Sequence, residues 1–270
     1  MKMKKRVLSA AVLAAMGIGS AQAVNISQDG TGEVLIFPYY TTNGGHATLL
    51  QVVNTTNETK AVKIRFHEAK NTREVLDFNL YLSPLDMWTG KISANDDGGA
   101  TLTTNDQSCT TPTIPDNGVA FKNIGYVDLN NDGFVDSTSN NVYDRGGEGL
   151  DRLGEGYFVM IEMGREDTMS PVWSTVWDRN GNLTTDSTHN HTGTLDNGKT
   201  VQMPDNCTGL NNNWAQNPDG PWTVDNLRAI LPPTGGLMGM ASIIHTGTGT
   251  EAAVQPTVLA AFSDQPIQSR

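Results

Sequence analysis

Hydrophobic residues along 32–92 recur at every second position over short stretches, and polar turn residues separate those stretches. Ala61–His67 shows the pattern most cleanly. Val62, Ile64 and Phe66 fall on one face of an extended chain and Lys63, Arg65 and His67 on the other, as in a half-buried strand. Val75–Leu82 alternates in the same way until Ser83-Pro84 ends it. Gly32–Tyr40 is a short apolar run in which Pro38 argues for an edge or a strand end. Thr48–Asn54 follows the Gly44-Gly45 turn, which predicts a hairpin between these two runs. With Met87-Trp88 leading toward Ile92, the region reads as four or five strands forming one sheet of a sandwich.

Beyond it, Asn95–Gly118 reads as a polar loop, followed by Phe121–Val127, an acidic segment over 128–151 and a strand at Gly156–Met163. Trp173 and Trp177 are four apart, so Met169–Trp177 fits a strand or a short helix. Asn-Gly and Asp-Asn-Gly turns within 178–198 predict hairpins. Asn211–Pro233 is irregular, and Gly235–Thr246 and Ala253–Phe262 supply the last strands. Abundant Gly, Asn, Thr and Asp supports strands and turns over helices, and the lack of a 20–50-residue repeat argues against a solenoid or propeller. The expected fold is mainly β: a single-domain immunoglobulin-like or jelly-roll-like β-sandwich with long loops, spanning 24–270, with an acidic loop inserted at about 95–155.

Residues 1–23 predict the compartment. Lys2, Lys4, Lys5 and Arg6 precede the apolar Val7–Gly19, and Ala21-Gln22-Ala23 supplies a small-x-small cleavage site, together a signal peptide removed before Val24. The apolar segment is too short to span a bilayer, and no second run reaches transmembrane length. The lysine-rich start has a bacterial character and implies export to the periplasm, the cell surface or the medium. Removing the leader leaves 14 basic residues against 29 acidic, a net of −15, which argues against nucleic acid or an anionic membrane as partner. Cys109 and Cys207, the chain's two cysteines, are expected to form one disulfide in an oxidising compartment. Neither sits in a CxxC motif or beside a base, as a reactive thiol would.

Four stretches together carry a resemblance: VLIFPYYTTNGG, VVNTTNETKAVKIRFHEAKNTREVLDFNLYLSPLDMWTG, GEGYFVMIEMG and PTGGLMG. They resemble a β-rich family of secreted or cell-surface proteins of Gram-negative bacteria, from about Glu33 to about Gly239, with residues 53–90 the most specific block. The resemblance implies export, a mostly β architecture and a surface role, and it carries over no catalytic residue. Family members extend past this C-terminus, which implies a short variant or a truncated reading frame.

The sharpest candidate chemistry is Asp128-Leu-Asn130-Asn-Asp132-Gly133-Phe134-Val-Asp136. Oxygen side chains at positions 1, 3, 5 and 9, a glycine at 6 and the Phe134 carbonyl at 7 match the first part of a calcium loop. Position 12 is Ser139 rather than the bidentate glutamate, so a second carboxylate has to come from Asp144, Glu148 or Asp151. A solvated Asn/Asp/Gly turn explains the same residues, and a bound calcium would be structural. His189 and His191 share one strand face as half of a metal site, with no third ligand nearby. His46, His67 and His245 read as isolated. Glu155 and Glu162 flank a strand and could mimic a glycosidase carboxylate pair, though among 29 acidic residues such pairs arise by chance and Glu162 is more simply the outward position of an alternating strand; GxSxG, HExxH, phosphate-loop and dinucleotide motifs are absent. Trp88 and Trp173 are expected in the core. Trp214 and Trp222, flanked by Asn-Asn-Asn and Gly-Pro, are the candidates for an exposed ligand-binding face. These features favour a non-enzymatic exported protein with a surface, adhesion or assembly role, its partner being surface glycans or a second copy of itself. A carbohydrate-binding module using the loop tryptophans is the alternative, and a hydrolase comes third.

Overall fold

The computed structural model describes residues 23–122, 149–166, 207–216 and 218–269, with strand backbone at 176–177, 183–184, 191–194 and 200–203. The calcium-loop residues Asp128–Asp136, with Asp144, Glu148, Trp173 and His189, lie outside the described residues. In chain order the first strands are β1 (Asn25–Ile26), β2 (Val34–Thr41), β3 (His46–Asn54), β4 (Lys60–Glu68), β5 (Glu74–Leu82) and β6 (Met87–Ala94). Next come β7 (Ala100–Thr103), β8 (Cys109–Thr111), β9 (Val119–Ala120), β10 (Glu155–Glu166), β11 (Val176–Trp177) and β12 (Leu183–Thr184). Strands β13 (His191–Thr194) and β14 (Thr200–Met203) precede the short helices α1 (Cys207–Asn213) and α2 (Pro221–Val224). The last strands are β15 (Ile230–Leu231), β16 (Leu237–His245), β17 (Thr250–Val254) and β18 (Thr257–Ala260).

The protein is mainly β, built on two antiparallel sheets that face each other as a sandwich. The first sheet runs β1-β18-β2-β10-β4-β5-β8, with β15 also pairing β10; the second runs β17-β16-β3-β6-β7-β9. Their inner faces supply one core. Leu35, Phe37, Ile64, Phe66, Phe78, Leu80, Phe158 and Met160 come from the first sheet, and Leu50, Val52, Trp88, Ile92, Leu102, Leu237 and Ala241 from the second. Val62, Ile64 and Phe66 point inward as the alternation requires, and Phe37 stacks on Phe158 at 4.3 Å between ring centroids.

Two expectations fail. β2 and β3 do not form a hairpin: β2 lies between β18 and β10, while β3 lies between β16 and β6 in the opposite sheet. The Asn43–Gly45 turn is an arch between sheets, closed by the Thr48 hydroxyl, which donates to the Thr41 carbonyl at 2.9 Å and accepts from the Thr41 amide at 3.0 Å. Residues 32–92 consequently divide between the two sheets, β2, β4 and β5 in the first and β3 and β6 in the second, rather than forming one. Alternation specifies which side of a strand is buried, and either sheet satisfies that requirement. Asn95–Gly118 is also not a plain loop, because β7 and β8 lie within it. Their threonines (Thr101, Thr103, Thr110 and Thr111) are β-branched residues suited to strands. Where hairpins are expected around 178–198, two antiparallel strand pairs are present, β11–β12 and β13–β14.

Pro38 sits inside β2, a central strand, at the one stretch where that is tolerated. β18 pairs only Val34–Ile36, and a bulge sets Pro38 and Tyr39 opposite Tyr157 alone, so no regular ladder position is lost. Gly156, beside that bulge, lies so close to β4 on its other side that a Cβ there would sit 1.9 Å from the His67 carbonyl oxygen. The obstruction is backbone, which cannot rotate away.

The outer face of the first sheet carries a second small core. Ala61, Tyr81, Cys109 and Met163 pack beneath Leu210 of α1, Trp214, Trp222 of α2 and Ile230. The Cys109–Cys207 disulfide ties α1 to β8 across a sequence separation of 98. The C-terminal tail closes over this side, with the Ile267 amide donating to the Met163 carbonyl at 2.8 Å. Glu33 receives the Phe262 and Ser263 amides at 2.9 and 2.8 Å and anchors the start of that tail.

Candidate functional site

The ionisable residues with the most perturbed surroundings are structural. Lys60 at the start of β4 and Glu162 in β10 are both fully buried and form an ion pair at 2.9 Å. The Glu162 carboxylate also receives the Thr234 and Gly235 amides at 3.0 and 2.8 Å, which fastens the Pro233-Thr-Gly-Gly236 segment to the sheet. Glu58 joins from the β3–β4 turn, 3.4 Å from the Lys60 ammonium and 3.1 Å from the Arg165 guanidinium. Burial pushes the Glu162 carboxyl above its usual range, against the pull of Lys60 and the two amides.

Glu68 makes a second buried pair, with Arg152 at 3.0 Å, and accepts the Lys70, Asn71 and Arg73 amides at 2.7, 3.0 and 3.1 Å. Burial alone would raise Glu68, but the amides and the guanidinium outweigh it and hold the carboxyl below its usual range. A lowered folded pKa means that Glu68 stabilises the β4–β5 turn above its unfolded value. That contribution is lost as pH falls through the folded value.

Glu155 and Glu162 do not make a hydrolytic pair. Seven residues along one strand separate them by about 23 Å, against the ~5–9.5 Å that glycoside hydrolysis requires. Glu155 instead accepts the Tyr39 hydroxyl at 3.0 Å, while Glu162 is committed to Lys60.

The tryptophans expected on a binding face are buried: Trp214 is 4 % exposed and Trp222 1 %. Their N–H groups are also engaged, Trp214 with the Tyr81 hydroxyl at 3.0 Å and Trp222 with the Arg228 carbonyl at 2.9 Å. The polar residues around them are turns and caps, and the indoles fill the space between α1, α2 and β5. Burial pushes the Tyr81 hydroxyl up to about 12. Trp88 lies in the main core as expected.

Among the described residues, no group of three or more His, Cys, Asp and Glu side chains is placed to hold a metal ion. Asp151 is exposed and lies 3.3 Å from Lys70. His46 and His245, which read as isolated, are register partners of β3 and β16 with ring centroids 4.8 Å apart. That pairing joins positions about 200 residues apart and leaves no local signal in the sequence.

The remaining candidate is the outer face of the second sheet, which sequence reasoning did not single out. Register sets Met87, Val53 and Met238 in one outward row and Thr89, Gln51 and Met240 in the next. Lys91, Leu49, Ser242 and Ala253 form the third row, and Ser93, Ala47, Ile244 and Glu251 the fourth. Leu49, Met87, Met238 and Met240 are 39–48 % exposed there. Only Lys91 and Glu251 among these residues carry charge, in a chain whose formal net charge is −11. A groove of about 430 Å³ crosses the face, lined by Leu49 and Met240 with Gln51, Thr89, Lys91, Thr103, Asn105 and Ser242. The signal was available in the alternation: Leu49, Val53, Met238, Met240 and Ile244 occupy five of the eight outward positions of β3 and β16, where a solvated face would carry Lys, Glu or Thr.

No protein-family model, curated protein or solved structure matches the chain. No helix among the described residues is long and apolar enough to cross a membrane.

Proposed function

We propose that this is an exported, non-enzymatic β-sandwich of the bacterial envelope or extracellular space that works by surface contact, in adhesion or assembly. The open face of the second sheet carries this reading. The outer face of the first sheet is covered by α1, α2 and the tail over Ala61, Tyr81, Cys109 and Met163 and carries the Lys63–Asp77 and Arg65–Glu74 ion pairs beyond them, whereas the second leaves four large apolar side chains in solvent. An apolar-rich, weakly charged patch on a chain of net charge −11 marks an interaction surface. Export is supported by the leader-like residues 1–23 and by the Cys109–Cys207 bond, which suits an oxidising compartment. The test is retention of labelled mature protein on the surface of producing cells. Met240→Lys or Leu49→Lys is expected to lower retention by about tenfold or more by burying an unpaired charge, and retention equal to wild type would remove the face from the function.

A glycan-binding reading moves from the tryptophans to the groove, whose neutral hydrogen-bonding side chains favour it: Gln51, Thr89, Thr103 and Asn105. A positive glycan array that Gln51→Ala or Asn105→Ala erases would support it.

Calcium belongs to the proposal through Asp128, Asn130, Asp132, Phe134 and Asp136, whose spacing supports a structural ion. Thermal unfolding is expected to rise in midpoint with calcium over EGTA and to lose that response in Asp128→Ala/Asp132→Ala. An unchanged midpoint would reduce the loop to a solvated turn.

A further inference from the structure

Resting on the reading of the open face as the working surface, we infer that its occupant is a second copy of this chain, seated face to face about a two-fold axis. The charges select both the partner and the axis. Most of this chain's surface would repel a second copy, since 29 acidic residues outnumber 18 basic ones. The outer face of the second sheet is nearly neutral, and its two charges are of opposite sign.

Strand order β17-β16-β3-β6-β7-β9 puts Glu251 on the edge strand β17 and Lys91 three strands away on β6, inside β7 and β9, with β16 and β3 between the two charges. A two-fold axis parallel to the strands, between β16 and β3, lays β6 over the partner's β17 and keeps each row at its own height. Lys91 then falls one row from the partner's Glu251, about 6.6 Å along the strand, within reach of a lysine side chain. The symmetric pair forms on the other side of the axis. Between them Met238 lies over the partner's Val53, and Leu49 over the partner's Ser242. An in-plane axis perpendicular to the strands would instead bring Lys91 within one row of the partner's Lys91. Like charges disfavour that arrangement.

Four strands and seven residues give a footprint of about 450 Å², small beside the ~800 Å² per partner of a standard interface. The dimer is therefore weak and depends on concentration, as suits a protein that assembles where it accumulates.

Sedimentation velocity of the mature, oxidised chain over a wide concentration range tests this. A monomer–dimer equilibrium is expected, weakened by about tenfold or more in Lys91→Glu and in Glu251→Lys and restored in the double reversal. A strict monomer at the highest concentration overturns the inference, as does a dimer indifferent to both reversals. The two proposals fail separately. A strictly monomeric chain whose cell retention is still lost in Met240→Lys refutes the dimer and leaves the surface reading standing. Retention unaffected by Met240→Lys refutes the surface reading. Lys91 and Glu251 are outward residues with no buried hydrogen bond, so the variants are expected to keep the wild-type melting profile, which circular dichroism verifies.

Discussion

Replacing Cys109 and Cys207 by serine is expected to lower the stability of the oxidised protein by about 4–5 kcal/mol in the chain-entropy model. The sequence separation of 98 sets that size, because a bond closing a long loop removes many conformations from the unfolded chain. In the folded state the bond has a local task. β8 is a three-residue strand at the edge of the first sheet, and α1 is a seven-residue helix, too short to persist alone. Together they hold Leu210 and Trp214 over Tyr81. Urea unfolding of Cys109→Ser/Cys207→Ser, followed through tryptophan fluorescence, measures the loss. A change below about 1 kcal/mol would mean that other contacts already restrain the intervening segment in the unfolded chain.

Breaking the Lys60–Glu162 pair from one side is the second large effect. Both side chains are fully buried, so Glu162→Ala takes from the ammonium its buried counter-charge and leaves it only the half-exposed Glu58 at 3.4 Å and the Thr234 hydroxyl, at a cost of about 3 kcal/mol. It also frees the Thr234 and Gly235 amides. Lys60→Met is expected to be milder and to depend on pH. Burial already raises the Glu162 carboxyl, and without lysine it gains a proton still more readily, so the cost of Lys60→Met shrinks as pH falls toward that raised value. The cost of Glu162→Ala does not shrink on acidification, because the stranded group is a cation. Removing both, as Lys60→Met/Glu162→Leu, is expected to recover most of the loss, since apolar replacement of a buried pair is often near neutral. Chemical unfolding of the three variants between pH 4.5 and pH 8, above the ~4.3 reference of a free glutamate from which Glu162 is raised, tests the scheme. Single-variant losses that simply add in the double would show that the two charges are not coupled.

The strands of this fold were largely legible, and their partners were not. β4 announces itself because Val62, Ile64 and Phe66 alternate with charged residues, and that parity survives in the structure. Nothing in the parity of β2 and β3 says that they belong to different sheets, because their neighbours, β10 and β16, lie more than a hundred residues away. The tryptophans misled for a related reason. Polar neighbours describe the backbone of 211–222, whose amides and carbonyls cap two short helices, and say little about where an indole on such a helix points. Lys60, just before the alternating Ala61–His67 run, is buried without any local mark of it, since its partner Glu162 on β10 lies about a hundred residues away. The two cysteines needed no such distant information, because an even pair in an exported chain leaves one pairing.

The interleaved strand order also governs the moment at which the chain folds. β2 and β4 are neighbours only through β10, and β3 gains its second neighbour only from β16, so the first 122 residues cannot complete either sheet. A polypeptide delivered N-terminus first through a narrow conduit therefore has no early domain to jam the passage. Its sheets close only when the distant β10 and β16 pair, which makes folding slow by topology. The price of that threading competence is a long interval in which half-made sheet edges need shielding.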